Sequence, residues 1–282
     1  MDELQSLDLL LVLKVAVLAI SGLIVGFVGN MLGGGGGRPR LLLVYWAADS
    51  PLNAAGTNLL VGVLGGMIGT WMHLREGRID LRLLLFMGMP SVIGAFIGGF
   101  FAGLAPRVLL LLVVGIITTW YGYLLLTGKR GTVVSEGSAN PAPEIGPSIA
   151  AKPVLLRPSV RRHLLEMSFG LAIGLFGGAV GFAGGQLRLT AVIGLLNTDI
   201  RMAVGTTRAI GTLTGLFGFL GHLLHLEIDW TVLIVMAPMA MLGAYLGAKQ
   251  TGKVPLPTLR MWVGAVMIIT SLPIFWLAYT QL

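Results

Sequence analysis

Between Leu9 and Leu32 the chain carries one charged side chain, Lys14, and apolar runs of similar length recur toward its C-terminus. A bilayer core about 30 Å thick takes roughly 20 apolar residues per helical crossing, so a chain built from such runs has few architectures open to it. Charged residues make up 11% of the 282, less than half the roughly 25% of a soluble domain, which is too few to solvate a water-facing surface. The runs are continuous and lack the alternation of outer-membrane strands. An all-α polytopic membrane protein is expected. The 42 glycines agree, because glycine lets membrane helices approach closely.

Apolar runs bounded by charge or by Gly and Pro place spans near 8–32, 51–72, 81–103 and 107–127, then near 160–182, 200–222, 229–248 and 258–279. The first is too long for a signal peptide and has no small-residue cleavage pattern. A Gly, Pro, Ala and Ser-rich stretch separates the two sets and reads as an extramembrane linker. The expected organisation is a first transmembrane repeat over 1–127, a cytoplasmic linker over 128–158 and a second repeat over 159–282.

The two sets resemble each other at an offset of about 148 to 149 residues. Gly33 to Leu41 aligns with Gly181 to Leu189, Ala55-Gly56-Thr57 with Val204-Gly205-Thr206, His73 with His222, Ile79-Asp80 with Ile228-Asp229, and Gly94 and Gly98 with Gly243 and Gly247. Internal repeats of this kind are common in secondary transporters. Each repeat also holds a short apolar stretch after a Gly-rich break, Leu41 to Ala47 and Leu187 to Leu196. Ten helical residues rise only about 15 Å. If these half-helices do not cross, the repeats lie parallel, and the termini and linker share one face. Arg75, Arg78, Arg82 and the linker cations then oppose Arg107, Arg201, Lys249, Lys253 and Arg260, and the positive-inside rule makes the linker face cytoplasmic. If the short stretches cross, the repeats are inverted.

A Gly-interrupted apolar segment at the same place in both halves points to a substrate site. Irregular backbone at such glycines offers free N–H groups that can cradle an anion. Gly34, Gly35, Gly36 and Gly37 in the first break, with Gly184 and Gly185 in the second, are the candidates. Arg38 and Arg40 follow the first break, and Gln186 and Arg188 the second. Arg208 sits about eight residues into its span, roughly 12 Å deep, and an intramembrane Arg faces the protein interior or a cavity. No acidic residue lies at comparable depth in the sequence, so a small anionic ligand is the expected partner. Thr57, Asn58, Thr206 and Thr207 could orient it. Asp49 and Asp199 read as helix starts. His73 and His222 suit interface anchoring, with a proton relay as the other role.

Enzyme motifs are absent: there is no Gly-x-Ser-x-Gly elbow, His-Glu-x-x-His or P-loop. The chain also has no cysteine. Nothing points to a cofactor, a resident metal or a nucleic-acid partner; His222, His225 and Glu227 form only a low-specificity His-x-x-His pattern. A homodimer is left open.

The duplicated order of Gly-rich break, short apolar stretch, "AAGTNLLVGVLGGMIGTWMHLREGRID" and "AVGTTRAIGTLTGLFGFLGHLLHLEID" resembles the TauE/SafE sulfite exporter family. The resemblance implies a bacterial inner-membrane permease of about seven to nine spans that moves sulfite, sulfonates or related organosulfur anions, usually outward. This chain departs from the family pattern at Arg38-Pro39-Arg40 and Gln186-Leu187-Arg188, where members commonly carry aliphatic or aromatic residues and Pro. Added guanidinium groups suit a sulfonate or carboxylate. The alternatives are an anion channel, a carboxylate permease, or a membrane scaffold whose arginines bind lipid headgroups.

Overall fold

The structure, a computed structural model, describes residues 2–33, 37–47, 51–101, 160–181, 184–194, 198–223 and 228–255, with isolated positions between 112 and 127 and between 257 and 272. Among these residues every regular element is helical. The helices are α1 (Asp2–Met31), α2 (Gly37–Ala47), α3 (Pro51–Arg75), α4 (Leu81–Phe100), α5 (Val160–Val180), α6 (Gly185–Gly194), α7 (Ile200–His222) and α8 (Trp230–Thr251). Four of them are long and apolar enough to cross a membrane, over Leu11–Met31, Asn53–Arg75, Leu81–Phe100 and Trp230–Thr251. The chain is thus a multi-pass membrane protein. Six of the eight expected spans coincide with long helices; the other two, and the linker, lie largely or wholly outside the described residues.

Local chemistry sets the boundaries. Asp80 caps α4 by accepting from the N–H groups of Arg82 and Leu83, and Asp229 caps α8 by accepting from Val232. Asp199 caps α7 in the same way through Arg201 and Met202. These carboxylates serve helix starts, as the sequence led us to expect for Asp199; Asp49 lies outside the described residues. Near its start α4 opens into a π-turn over Leu84–Gly88. Met89 N–H donates to Leu85 O at the end of this turn, and Pro90, one residue further, has no N–H to donate back into it.

Glycine faces join the helices pairwise. Gly22 and Gly26 of α1 meet the α8 backbone at Met236 and Ala240, while Gly243 and Gly247 of α8 meet Leu23 and Phe27. The same exchange links α5 to α4, with Gly170, Gly174 and Gly178 against Met87, Ser91 and Ala95, and Gly94 and Gly98 against Leu171 and Leu175. A Cβ at any of these positions would press into the facing main chain. Lipid gives apolar side chains no reason to prefer each other, so close packing holds such pairs together. Outward faces are apolar, as at Leu13, Ile20 and Ile24 of α1 and Ile234 and Leu242 of α8.

These contacts fix helix directions. Gly22 of α1 meets Met236 of α8, and the Thr251 hydroxyl donates to Met31 O at 3.0 Å, so α1 and α8 run parallel. By the same reasoning α4 and α5 run parallel to each other. The turn after α3 lies on the start of α7, where Asp80 N donates to the Thr206 hydroxyl at 2.8 Å. The turn before α8 lies on the start of α3, where Asp229 N donates to the Thr57 hydroxyl at 3.0 Å. Hence α1, α3 and α8 point toward the end bearing residues 76–80, and α4, α5 and α7 point away from it.

Parallel placement of the faces is overturned by this arrangement. Arg78 donates to Ala248 O at 3.1 Å, and Arg201 donates to Val254 O at 3.0 Å. Arg75, Arg78 and Arg82 therefore share one end with Arg201, Lys249 and Lys253 instead of opposing them. The N-terminus of α1 lies at the other end from the start of α5, so the N-terminus and the linker junction do not share a face. The physical reason is that residues 32–50 return the chain from the end of α1 to the start of α3. Among the described residues one end gathers Arg75, Arg78, Arg82, Arg161, Arg162, Arg201, Lys249 and Lys253, whereas toward the other lies only Lys14.

The absence of native cysteine makes the arrangement easy to test. Arg75→Cys and Lys253→Cys should react with an impermeant thiol reagent from the same side of the membrane, and Ser6→Cys from the opposite side. Arg75→Cys and Ser6→Cys labelled together, with Lys253→Cys apart, would restore the parallel reading.

Candidate functional site

The two Gly-rich breaks meet inside the protein. Gly33 and Gly181 both take positive φ, 80° and 84°, a conformation glycine adopts without steric cost. Each also sits too close to the opposite half to carry a side chain: a Cβ at Gly33 would lie 2.7 Å from Val204 Cα, and one at Gly181 2.6 Å from Ala55 Cβ. Their carbonyls are then bonded across the interface. The Thr207 hydroxyl donates to Gly33 O at 2.9 Å, and Asn58 Nδ2 donates to Gly181 O at 3.0 Å. Asn58 Nδ2 also reaches Gly37 O at 3.2 Å, so one amide touches both breaks.

Arg40, on the first turn of α2, is 6% exposed. Its Nε donates to Asn58 Oδ1 at 2.7 Å and its Nη2 to Asn58 O at 2.9 Å. That pair of bonds turns the guanidinium along α3 into the space left by the missing side chain of Gly62. Arg208 arrives at the same residue from α7, donating from Nη2 to Gly62 O at 3.2 Å, while its Nε has no partner. A Cβ at Gly66, one turn along α3, would lie 3.1 Å from Arg208 Nη2. Two cations thus converge on one face of α3. Ion pairs among the described residues join Arg78 to Glu76 and Arg82 and Arg162 to Glu166, and none involves Arg40 or Arg208.

The polar line continues along α3. Thr70 and Thr212 share a hydroxyl contact of 3.1 Å, and Thr212 donates to Arg208 O at 3.0 Å. Beyond them Asn30 Oδ1 fills the space at Gly69 and has no hydrogen-bond partner. His73 ends the line. Its Nδ1 accepts from Arg78 Nη1 at 3.2 Å, so its Nε2 must be the protonated nitrogen that donates to Asn30 O at 3.0 Å. His222 makes the corresponding Nε2 contact with Gly178 O at 2.9 Å. Both rings are fully buried, 0% and 2% exposed, so the expectation of anchoring at the membrane interface is corrected: they tie α3 to α1 and α7 to α5. Burial, with Arg201 nearby, lowers the Arg78 guanidinium to about 10, which leaves it cationic at neutral pH.

Arg188 occupies the place in the second half that Arg40 occupies in the first, yet behaves differently. It is 0% exposed, and its Nη2 donates to the Ser91 and Thr214 hydroxyls at 2.7 and 3.1 Å. Those hydroxyls lie 3.1 Å apart, and Thr214 donates onward to Ile210 O. Their aligned positions, Ala240 for Ser91 and Gly65 for Thr214, offer no hydroxyl. The structure gathers Arg40, Asn58 and Arg208 along α3 and sets Arg188, expected beside them, apart. Thr57 and Thr206 seat the turns before α8 and α4 and do not join the arginines. Gly184 has positive φ of 62° and accepts the Arg188 N–H that starts α6; Gly185 opens that helix. Gly34, Gly35 and Gly36 and the side chains of Arg38 and Gln186 lie outside the described residues, as do His225 and Glu227. Reading the sequence for charge passed over Ser91, Thr212, Thr214 and Asn30, although isolated polar residues in apolar spans are themselves a signal.

A family model described as sulfite exporter TauE/SafE matches residues 18–274. The chain is 25% identical over 269 residues to the probable membrane transporter protein YunE of Bacillus subtilis, covering 90% of this chain and 94% of the relative. It is 25% identical over 249 residues to the probable membrane transporter protein YdhB of the same organism, covering 88% and 93%. A probable membrane transporter protein of Xylella fastidiosa is also 25% identical, over 267 residues, covering 93% and 95%. No solved structure matches the chain.

The two arginine environments make different demands. Removing the hydroxyls beside Arg188 with Ser91→Ala and Thr214→Val should strip acceptors from a buried cation and cost about 1–3 kcal/mol of stability. A lowered thermal midpoint in detergent would register it. Thr57→Val should cost only about 1 kcal/mol, the worth of one ordinary hydrogen bond.

Proposed function

Since the chain belongs to the sulfite exporter TauE/SafE family, we propose that it is a secondary transporter of small organosulfur or carboxylate anions, with its site between the two halves at Gly62. The observation that carries this reading is the convergence of Arg40 and Arg208 on that glycine with no carboxylate in ion-pair reach among the described residues. Two buried cations repel each other and lose hydration; a bound anion relieves both costs. Guanidinium forks suit the several oxygens of a sulfonate, sulfite or carboxylate group. Asn58 orients Arg40, and Arg208, with its Nε uncommitted, supplies the donor that moves to the ligand. The amides of Gly34 to Gly37 are, in this reading, further candidate donors to the anion. Arg188 acts as support, and His73, held neutral between Arg78 and Asn30, pins the helix ends.

The same reading takes the halves as inverted repeats, each with four long spans and a returning break and half-helix, about eight spans in all. Reciprocal contacts support it: Thr57 with Asp229 and Thr206 with Asp80, the two break carbonyls bonded by Asn58 and Thr207, and the exchanged glycine faces. Inverted repeats that share a midplane site permit access to alternate by rocking one half on the other. The basic end faces the cytoplasm by the positive-inside rule, with the linker there and the N-terminus across the inner membrane. The membrane potential then favours exit of an anion, by about 2.3 kcal/mol per charge per 100 mV.

Purified protein in detergent tests the site. Sulfite, thiosulfate, sulfoacetate, taurine and small dicarboxylates should be compared by thermal shift. An anion at 100 times its Kd should add about 2.7 kcal/mol to the folded state, and Arg208→Gln should abolish that gain while the unliganded protein keeps its expression and midpoint. No shift from any of these anions would sink the reading. Saturable exchange of trapped substrate in proteoliposomes would separate a carrier from a channel.

A further inference from the structure

The basic end holds a second cluster, remote from Gly62. Helix α5 opens with Val160-Arg161-Arg162-His163, and its first turn has no acidic residue. This reverses the usual placement, because a helix N-terminus presents free N–H donors and the positive end of its dipole, which favour anions. Glu166, one turn on, is 2% exposed. It accepts from Arg82 Nη2 through both oxygens, at 3.2 and 3.3 Å, and from Arg162 Nε at 3.1 Å. One buried carboxylate thus holds two guanidinium groups whose side chains are 36% and 38% exposed. The trio keeps a net positive charge even before the exposed Arg161 is counted. Arg82 Nε also donates to His163 Nε2 at 3.3 Å, and the rings of Phe86 and His163 lie 4.1 Å apart. These bonds fix the guanidinium groups in place across α4 and α5.

Directly along the same two helices, Leu81, Leu85, Leu164 and Leu165 are exposed. Each arginine group therefore stands at the end of an apolar, outward face. A fixed cationic collar above an apolar flank repeats the order of a phospholipid, with its phosphate at the membrane surface and its acyl chains below. The phosphate of an anionic lipid can accept from guanidinium forks, and no ammonium of its own headgroup offsets it. Such lipids occur at the membrane surface where basic segments collect.

We propose that Arg82, Arg161 and Arg162 form a headgroup site for an anionic phospholipid of the phosphatidylglycerol type, which clamps α4 to α5 at the basic end of the protein. The site is independent of the anion at Gly62. Glu166 is a positioning residue: it holds Arg82 and Arg162 together across α4 and α5.

The full chain in phosphatidylcholine nanodiscs, with or without phosphatidylglycerol, tests this by thermal midpoint and by native mass spectrometry of retained lipid. Phosphatidylglycerol should be retained and should raise the midpoint. Arg161→Gln, a change at an exposed position, should weaken retention about fivefold, and adding Arg162→Gln about fivefold more, from roughly one charge–surface interaction each. Arg75→Gln, at the same end but stacked over Trp71 at 4.8 Å, should leave retention unchanged. Equal loss in Arg75→Gln would reduce the effect to diffuse surface charge and overturn the site, as would equal retention of phosphatidylcholine. Stabilisation by inorganic phosphate in phosphatidylcholine discs would make this a free-phosphate site and overturn the lipid assignment.

Discussion

A helix interrupted inside a bilayer releases backbone donors and acceptors that hydrocarbon cannot satisfy, and this constraint organises the protein around its two Gly-rich breaks. The carbonyls of Gly33 and Gly181 are answered from the opposite half, by Thr207 and Asn58. Each of these two carbonyls takes its side-chain donor from the other half. The interlock brings α3 and α7 together at the centre, and the glycine faces of α1 with α8 and α4 with α5 enclose them. A polar interior follows from the backbone problem, and the arginines occupy space that the glycines leave open.

Much of this was legible in the sequence because bilayer physics writes a coarse signal. Apolar runs gave the long helices, and Asp199 was recognisable as a cap from its position. The duplicated breaks, with Arg40, Asn58 and Arg208 beside them, marked the residues that the structure gathers. Direction was harder to read. A short apolar stretch carries no mark of whether the chain around it turns back or goes through. Charge counts by face depend on that choice, so one error in topology put Arg78 and Arg201 on opposite sides of a membrane when they are neighbours.

The roles of the polar residues were less visible still. Thr57, Thr206 and Thr207 are equivalent on a sequence scan, yet two of them receive backbone N–H groups from distant turns and the third closes a break. His73 and His222 stand beside charged segments in sequence, but the fold folds them inward onto carbonyls of α1 and α5. Such distinctions depend on which helix lies opposite, information that a single span does not contain.

The inequality of Arg40 and Arg188 has an energetic meaning. If two inverted halves were chemically identical, exchanging their conformations would convert one end state into the other at no net cost, and both would be equally populated. Here one arginine rests on the Ser91 and Thr214 hydroxyls, while the aligned Ala240 and Gly65 offer the other nothing similar, and Arg208 aligns with Leu59. In the proposed carrier these differences would remove that degeneracy and give the empty protein a preferred orientation before any ligand or voltage acts on it.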